Sequence, residues 1–369
     1  MSSSTTTTTT TRKKFVVPSA LREALPAVES RRVKVLVIGF GYVGQHLVSA
    51  LEEDGRFDVA STTHGDMDVT SVESCAARLW STLPDVLVNT AAVSSPKRCE
   101  EEPEVARRTN CPTELLEAAF AVVPDALFIQ FSTDIVYGDR FGAPYADGGD
   151  RAIEEAMERC EPENVYGSSK LAFEKRLLAW PRTIIFRCSN IIGPPTQSGV
   201  GKFAQWLEGE LTKSSAEKQQ ETQKKTAVGL WFDEVRSFVS LTQILRGVVA
   251  AIDMFALAHV PAETEARVEA LAAAIKPSET AYYERDARKA YPPLFLHLNA
   301  GGPEALSRVH VGRLIAEAAG FDALASITAV ARPDLPYPSP LDVAMDSSNF
   351  EAILGVPLIP IRDALSSSE

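Results

Sequence analysis

Tyr166-Gly-Ser-Ser-Lys170 sets a phenol and an ammonium group four residues apart, and on a helix that spacing puts both on one face. A phenol, with an ordinary pKa of about 10, exchanges its proton more readily beside a cation. Far upstream, Gly39-Phe-Gly41-Tyr42-Val43-Gly44 has the spacing of a turn that approaches a dinucleotide's pyrophosphate. Gly39 serves the tight turn, Gly41 the close approach of phosphate, and Gly44 the packing of the following helix on the preceding strand. Ser132-Thr133-Asp134 closes the apolar run Leu127–Phe131, at a strand end where ligands of a parallel sheet gather. These residues predict reduction of a carbonyl. A nicotinamide cofactor delivers hydride and Tyr166 protonates the oxygen. Lys170 holds the nicotinamide ribose and lowers the tyrosine pKa, and Thr133, with Ser132 beside it, orients the carbonyl.

The choice of cofactor depends on the tip of the second strand, which reads Thr62-Thr63-His64, with no acid until Asp66. The absent carboxylate removes repulsion against a 2′-phosphate, and Thr63 could bond one, so NADP(H) is expected. No Arg stands at the tip, and NAD(H) stays open. Asp68 and Val69 fall where they could meet the adenine, with a helix cap as the alternative role for a nearby Asp or Thr.

Alternating elements must carry these groups. Strands are expected at Val33–Ile38, Phe57–Thr63, Val86–Asn89, Leu127–Phe131 and Thr183–Arg187. Helices are expected near Gln45–Glu53, Val72–Leu83, Val105–Ala121, Ser168–Leu178 and Val309–Ala319. The fold class is α/β, a Rossmann-type doubly wound parallel sheet with a smaller C-terminal lobe. Residues 33–195 form the dinucleotide-binding domain. Residues 196–369 form mainly the substrate lobe, with part of 228–252 returning to the first domain. Two charged stretches, Lys213–Lys225 and Pro261–Pro292, read as surface insertions.

The chain has 369 residues, 45% hydrophobic and 23% charged, and carries a net charge of −12. Such an acidic chain lacks the clustered cations of a nucleic-acid binder, and no apolar run is long enough to span a bilayer. Five scattered cysteines with no CxxC spacing predict free thiols, no disulfide framework and no metal. Residues 1–32 are Ser/Thr-rich, then basic, without an apolar secretory core. They are expected to be a disordered extension of a cytoplasmic protein, an organelle transit peptide being the alternative.

At several of these motifs the chain resembles the extended short-chain dehydrogenase/reductases, and within them the dTDP-4-dehydrorhamnose reductase group. The similar segments are Asp85–Ala92, Cys99–Glu104 leading to Asn110, Phe131–Gly138 and Asn164–Leu171. Gly302–Ser307 and Arg332-Pro333 through Asp346–Ser348 are similar more weakly. The resemblance implies the catalytic set Thr133, Tyr166, Lys170 and Ser132. It implies cofactor contacts from Gly39, Gly41, Tyr42, Val43, Gly44, Ala91, Ala92 and Asn110, the last with support of the active-site backbone as its alternative. Substrate contacts are implied at Phe203, Arg236 and Arg332, where an arginine could pair with a nucleotide diphosphate. The implied substrate is a nucleotide-linked keto sugar, and the implied assembly a homodimer. The same group includes the NADP-binding regulatory β subunit of methionine adenosyltransferase, so that enzyme's catalytic subunit is an alternative partner; a nucleotide-sugar epimerase is the third reading. Ser132-Thr-Asp-Ile-Val-Tyr137 departs from the group's usual Ser-Thr-Asp-Tyr-Val-Phe. The stretch between Tyr145 and Tyr166 is longer and more acidic than usual, and Asp233–Phe238 replaces a Gly-x-Pro-Thr type of sequence. These departures bear on the sugar more than on the cofactor.

Overall fold

Six apolar runs become strands. The computed structural model describes residues 32–140, 142–147, 157, 159–217, 227–256 and 294–366. Its central strands are β1 (Val33–Ile38), β2 (Phe57–Thr62), β3 (Val86–Asn89), β4 (Leu127–Thr133), β5 (Arg182–Cys188) and β6 (Leu294–Ala300). They pair in the order β6-β5-β4-β3-β1-β2, each pairing parallel. Every residue of β3, β4, β5 and β6 is buried, as strands covered on both faces require. The helices are α1 (Tyr42–Asp54), α2 (Val72–Thr82), α3 (Pro96–Glu101), α4 (Pro103–Asn110), α5 (Thr113–Val122) and α6 (Val165–Leu177), then α7 (Phe203–Glu217), α8 (Leu241–Phe255), α9 (Arg308–Ala318), α10 (Ser348–Leu354) and α11 (Ile361–Ser366).

Side-chain alternation along the strands builds two cores. Val35, Val88, Ile129 and Phe186 pack with Leu47 and Leu51 of α1, Val248 and Ile252 of α8, and Phe350 of α10. Leu36, Leu87, Phe128 and Ile185 point the other way, onto Leu79 of α2, Leu115 and Ala119 of α5, and Phe173 of α6. The sheet is therefore doubly wound in the Rossmann manner. A third core joins α7, α9 and α11 through Leu207, Leu211, Val309, Ile315 and Ile361. The stretch 228–252 divides: Leu230 lies in this third core, whereas α8 covers the sheet.

Three elements differ from expectation, each for a local reason. The helix expected over Val105–Ala121 is two helices, α4 and α5, because Pro112 lacks the N–H that continues a helix and instead sits at the start of α5. Helix α6 begins at Val165, not Ser168, because Asn164 Oδ1 accepts the Gly167 N–H at 2.8 Å and caps it. That early start brings Tyr166 into the helix. Strand β6 was not expected; Leu294-Phe-Leu-His-Leu-Asn-Ala300 has a strand's composition, but it adjoins the charged stretch before it.

Residues 1–31, and with them the extension and transit-peptide readings, lie outside the described residues, as do 218–226 and 257–293 of the two insertions. No described helix is long and apolar enough to cross a membrane. Among the described residues no cluster of His, Cys, Asp and Glu could hold a metal ion.

Candidate active site

The chain leaves β1 through Gly39 at φ 95°, a backbone conformation suited to glycine. A Cβ on Gly39 would stand 2.7 Å from Ala91 N, and one on Gly44 only 2.0 Å from the Gly39 carbonyl oxygen. At Gly41 a Cβ would meet nothing within 4 Å, because this residue borders a cavity of about 440 Å³. No side chain caps the 13-residue helix α1. Its first residues, Tyr42, Val43 and Gly44, line the same cavity, so their N–H groups and the positive end of the helix dipole are available to an anion. A cradle that any side chain would fill, at a helix N-terminus, fits a dinucleotide's pyrophosphate. Ala92 lines the cavity too, while Gly39 and Ala91 press together behind it.

At the tip of β2, the Thr63 N–H and hydroxyl both donate to Asp66 Oδ2, at 2.8 and 2.7 Å. Asp66 thus uses the donors expected to meet a 2′-phosphate. Arg78 of α2, overlooked in the sequence, donates to Ser61 O at 2.9 Å and brings a cation to this tip. Asp68 accepts from Thr70 N and Oγ1 at 2.9 and 2.8 Å, the role of a turn residue, and Val69 is buried in the core under α2. Thr63, Asp68 and Val69 do not border the cavity. Asn110 is buried behind its wall, accepting from Val93 N at 2.8 Å and donating to Ser169 Oγ at 3.0 Å. Of its two expected roles, this geometry is that of backbone support.

The fold brings Thr133, Tyr166 and Lys170 to one wall of the cavity, with Ser132, Asp134 and Cys188 around them. Thr133 is the last residue of β4; its hydroxyl donates to Asp134 Oδ1 at 3.1 Å and accepts from the Ile135 N–H at 3.3 Å. Asp134 is buried, accepts from Ser189 Oγ at 2.8 Å, and is pushed upward in pKa chiefly by desolvation. The expectation that Lys170 lowers the Tyr166 pKa is corrected here. Desolvation and then the Asp134 carboxylate push it upward, against a smaller pull from the Thr133 hydroxyl. The phenol is therefore held in its protonated, donating form. Lys170 is 3% exposed, and burial lowers its pKa to about 8, opposed by Glu174 one turn along α6.

Glu174 itself is fully buried. It receives Arg187 at 2.6 Å and the Ser132 hydroxyl, and it stands 3.7 Å from His297 Nε2. The Ser132 hydroxyl, expected beside the substrate, is thus committed to Glu174. Neither Glu174 nor Arg187 was singled out in the sequence; the available signal was a carboxylate four residues after Lys170.

Across the cavity stand Phe203 and Arg236, but the Arg236 guanidinium donates to the carbonyls of Val235, Leu341 and Pro340, at 2.7, 3.0 and 2.8 Å. Arg332 does not border the cavity; its guanidinium donates to Ser339 O at 2.8 Å and Pro340 O at 3.2 Å. Buried Glu234 lies 3.7 Å from each of them. Both arginines hold backbone where the sequence suggested phosphate. The cations that border the cavity on this side and escaped notice are Arg308 and Lys202. Arg308 donates to Glu234 Oε1 at 2.7 Å and lies over the rings of Phe203 and Trp231, 5.5 and 5.3 Å from their centres. Lys202 sits 6.0 Å above the Tyr42 ring, and burial lowers its pKa.

Residues 33–220 match the family described as RmlD substrate binding domain. The dTDP-4-dehydrorhamnose reductase of Escherichia coli K12 is 34% identical over 162 residues, which are 42% of this chain and 51% of the relative. The chain thus spans about half the length of the curated relatives it matches. A crystal structure of a dTDP-4-dehydrorhamnose reductase from Clostridium acetobutylicum superposes with a TM-score of 0.67 at 19% identity, covering 90% of this chain and 97% of that one. The Bacillus anthracis dTDP-4-dehydrorhamnose reductase in complex with NADP superposes with a TM-score of 0.66 at 16% identity, covering 91% and 98%. At these identities the superpositions establish the shared fold.

Proposed function

The chain belongs to the RmlD substrate-binding-domain family, and from that premise we propose that it is an NADP(H)-dependent reductase of a keto group on a nucleotide-linked deoxy-sugar. The substrate class is that of its dTDP-4-dehydrorhamnose reductase relatives. NADP(H) is the preferred cofactor in this reading, supported by Arg78 at the tip of β2 and by the NADP complex of a structural neighbour. NAD(H) serves second. The observation that carries the proposal is the meeting of Thr133, Tyr166 and Lys170 on one cavity wall, with an uncapped helix N-terminus on another.

Bound at that N-terminus, the dinucleotide would supply a hydride to the carbonyl carbon. Everything else falls to the chain. The Thr133 hydroxyl holds the carbonyl oxygen beside Tyr166. As the carbon–oxygen double bond becomes a single bond, the phenol passes its proton to that oxygen, so no alkoxide is released into a buried site. Lys170, charged below about pH 8, bonds the cofactor ribose. Arg308 and Lys202 stand where the anionic part of the substrate would lie.

The test is NADPH oxidation with dTDP-4-keto-6-deoxy-sugar by wild type and Tyr166→Phe. Turnover that falls at least a hundredfold in the variant, with unchanged NADPH affinity, is the expected result. Firm NADPH binding without turnover in either protein would overturn the reading. In that event, capture of a methionine adenosyltransferase catalytic subunit would point to a regulatory role.

A further inference from the structure

We propose that the proline-rich strap 332–341 is the specificity wall of the cavity, and that Asn164 is the positioning residue that docks it to the helix carrying Tyr166 and Lys170. The proposal goes beyond the reductase reading and rests on it for the identity of the group the wall contacts.

Leu335, Tyr337 and Ser339 border the cavity and alternate with Pro336, Pro338 and Pro340. Prolines lack the N–H that would enter a ladder, and no helix or strand covers residues 331–341. Such a segment keeps its shape only if other groups hold its carbonyls. Four successive carbonyls are held. Pro338 O accepts from Asn164 Nδ2 at 3.0 Å. Ser339 O accepts from Arg332 at 2.8 Å. Pro340 O accepts from Arg236 at 2.8 Å and Arg332 at 3.2 Å. Leu341 O accepts from Arg236 at 3.0 Å and from the Val235 N–H at 2.8 Å. Beyond them, the Asp139 carboxylate accepts the N–H groups of Leu341 and Asp342, at 2.7 and 3.1 Å.

These anchors differ in what they connect. Arg236 and Arg332 tie the strap to the loop and short strand around Glu234. Asn164 ties it to the reacting groups. Its carboxamide is 4% exposed and uses both ends. Oδ1 caps α6 through the Gly167 N–H, two residues past the start of the Tyr166 turn, and Nδ2 reaches Pro338. One side chain therefore sets both the seat of α6 and the position of Tyr337 and Ser339 opposite it.

Asn164→Asp separates the two roles, because a carboxylate still accepts from Gly167 but has nothing to donate to Pro338. The expected result is faster amide exchange at Leu341 and Asp342, whose N–H groups Asp139 holds at the end of the strap, with unchanged protection across Val165–Leu177. With it should come a KM for dTDP-4-keto-6-deoxy-sugar raised about three- to tenfold, as one lost hydrogen bond implies, a smaller change in kcat, and the wild-type affinity for NADPH. Tyr337→Ala should raise KM in the same direction without touching α6. Unchanged strap exchange in Asn164→Asp overturns the tether. Faster exchange with an unchanged KM, or a loss confined to kcat, overturns the wall. A wild-type protein that neither binds nor turns over the sugar nucleotide overturns the reductase reading and the wall with it, and the exchange result then decides the tether alone.

Discussion

Lys170 carries a conflict between stability and use. Its folded pKa, about 8, lies below the ordinary 10.5 because burial disfavours the charged amine. Below pH 8 both folded and unfolded chains are protonated, and the folded chain bears the full cost of the buried charge. Between about 8 and 10.5 the unfolded chain binds more protons, so this group's cost fades as pH rises. Lys170→Met is accordingly expected to melt above wild type at pH 7, with the gap closing towards pH 10. The same titration makes NADPH affinity of wild type fall as pH passes about 8, while that of Lys170→Met is weak and flat; fluorescence titration across pH 6–9 checks this. Glu174 presents the opposite case, a carboxylate whose partner cannot lose its charge. Glu174→Gln leaves Arg187 buried without its counter-ion and is expected to cost about 3–5 kcal/mol in a urea titration. Glu174→Gln with Arg187→Met should recover most of that loss. The Tyr–Lys pair was legible because the glycine turn and Ser132-Thr133 accompany it; alone, that spacing is common on an exposed helix face. The Glu174–Arg187 pair was not, since its partners meet only when β5 pairs beside β4.

Among the elements, the glycine turn gives the sharpest contrast. Gly44 and Gly41 look equivalent in the sequence, yet a Cβ on the first would collide with the Gly39 carbonyl and one on the second would enter open cavity. Gly44→Ala is expected to lower the melting temperature by several degrees and abolish NADPH binding. Gly41→Ala should melt as wild type does and weaken NADPH binding at least tenfold, because its methyl group occupies phosphate space. Calorimetry and fluorescence quenching separate the two outcomes. The apolar runs β1, β3, β4 and β5 were legible because strands buried on both faces leave continuous hydrophobic sequence. The boundaries that failed are those set by a single group, the N–H missing from Pro112 and the carboxamide of Asn164. At Pro112 a one-residue device interrupted a helical pattern that continued across it, and at Asn164 one started a helix before the pattern did.

At the scale of the molecule, a doubly wound sheet delivers the glycine turn, the Thr133 hydroxyl and the α6 pair to the same edge, where strand ends of parallel sheets collect ligands. That convergence followed from strand order, and strand order followed from alternating strands and helices. The opposite wall was far less legible. Arg236 and Arg332 carry the residue type that phosphate recognition wants, but the strap's prolines leave carbonyls that need donors, and the two arginines supply them. In the proposed reaction hydride and proton both end on a substrate carbonyl, with net consumption of cofactor. The most direct measurement is product analysis after reaction of dTDP-4-keto-6-deoxy-sugar with NADPH deuterated at the transferring position. The expected result is one deuterium on the former carbonyl carbon and one cofactor oxidised per sugar reduced. An isomerised sugar with no net cofactor oxidation, or no product while cofactor stays firmly bound, would contradict it.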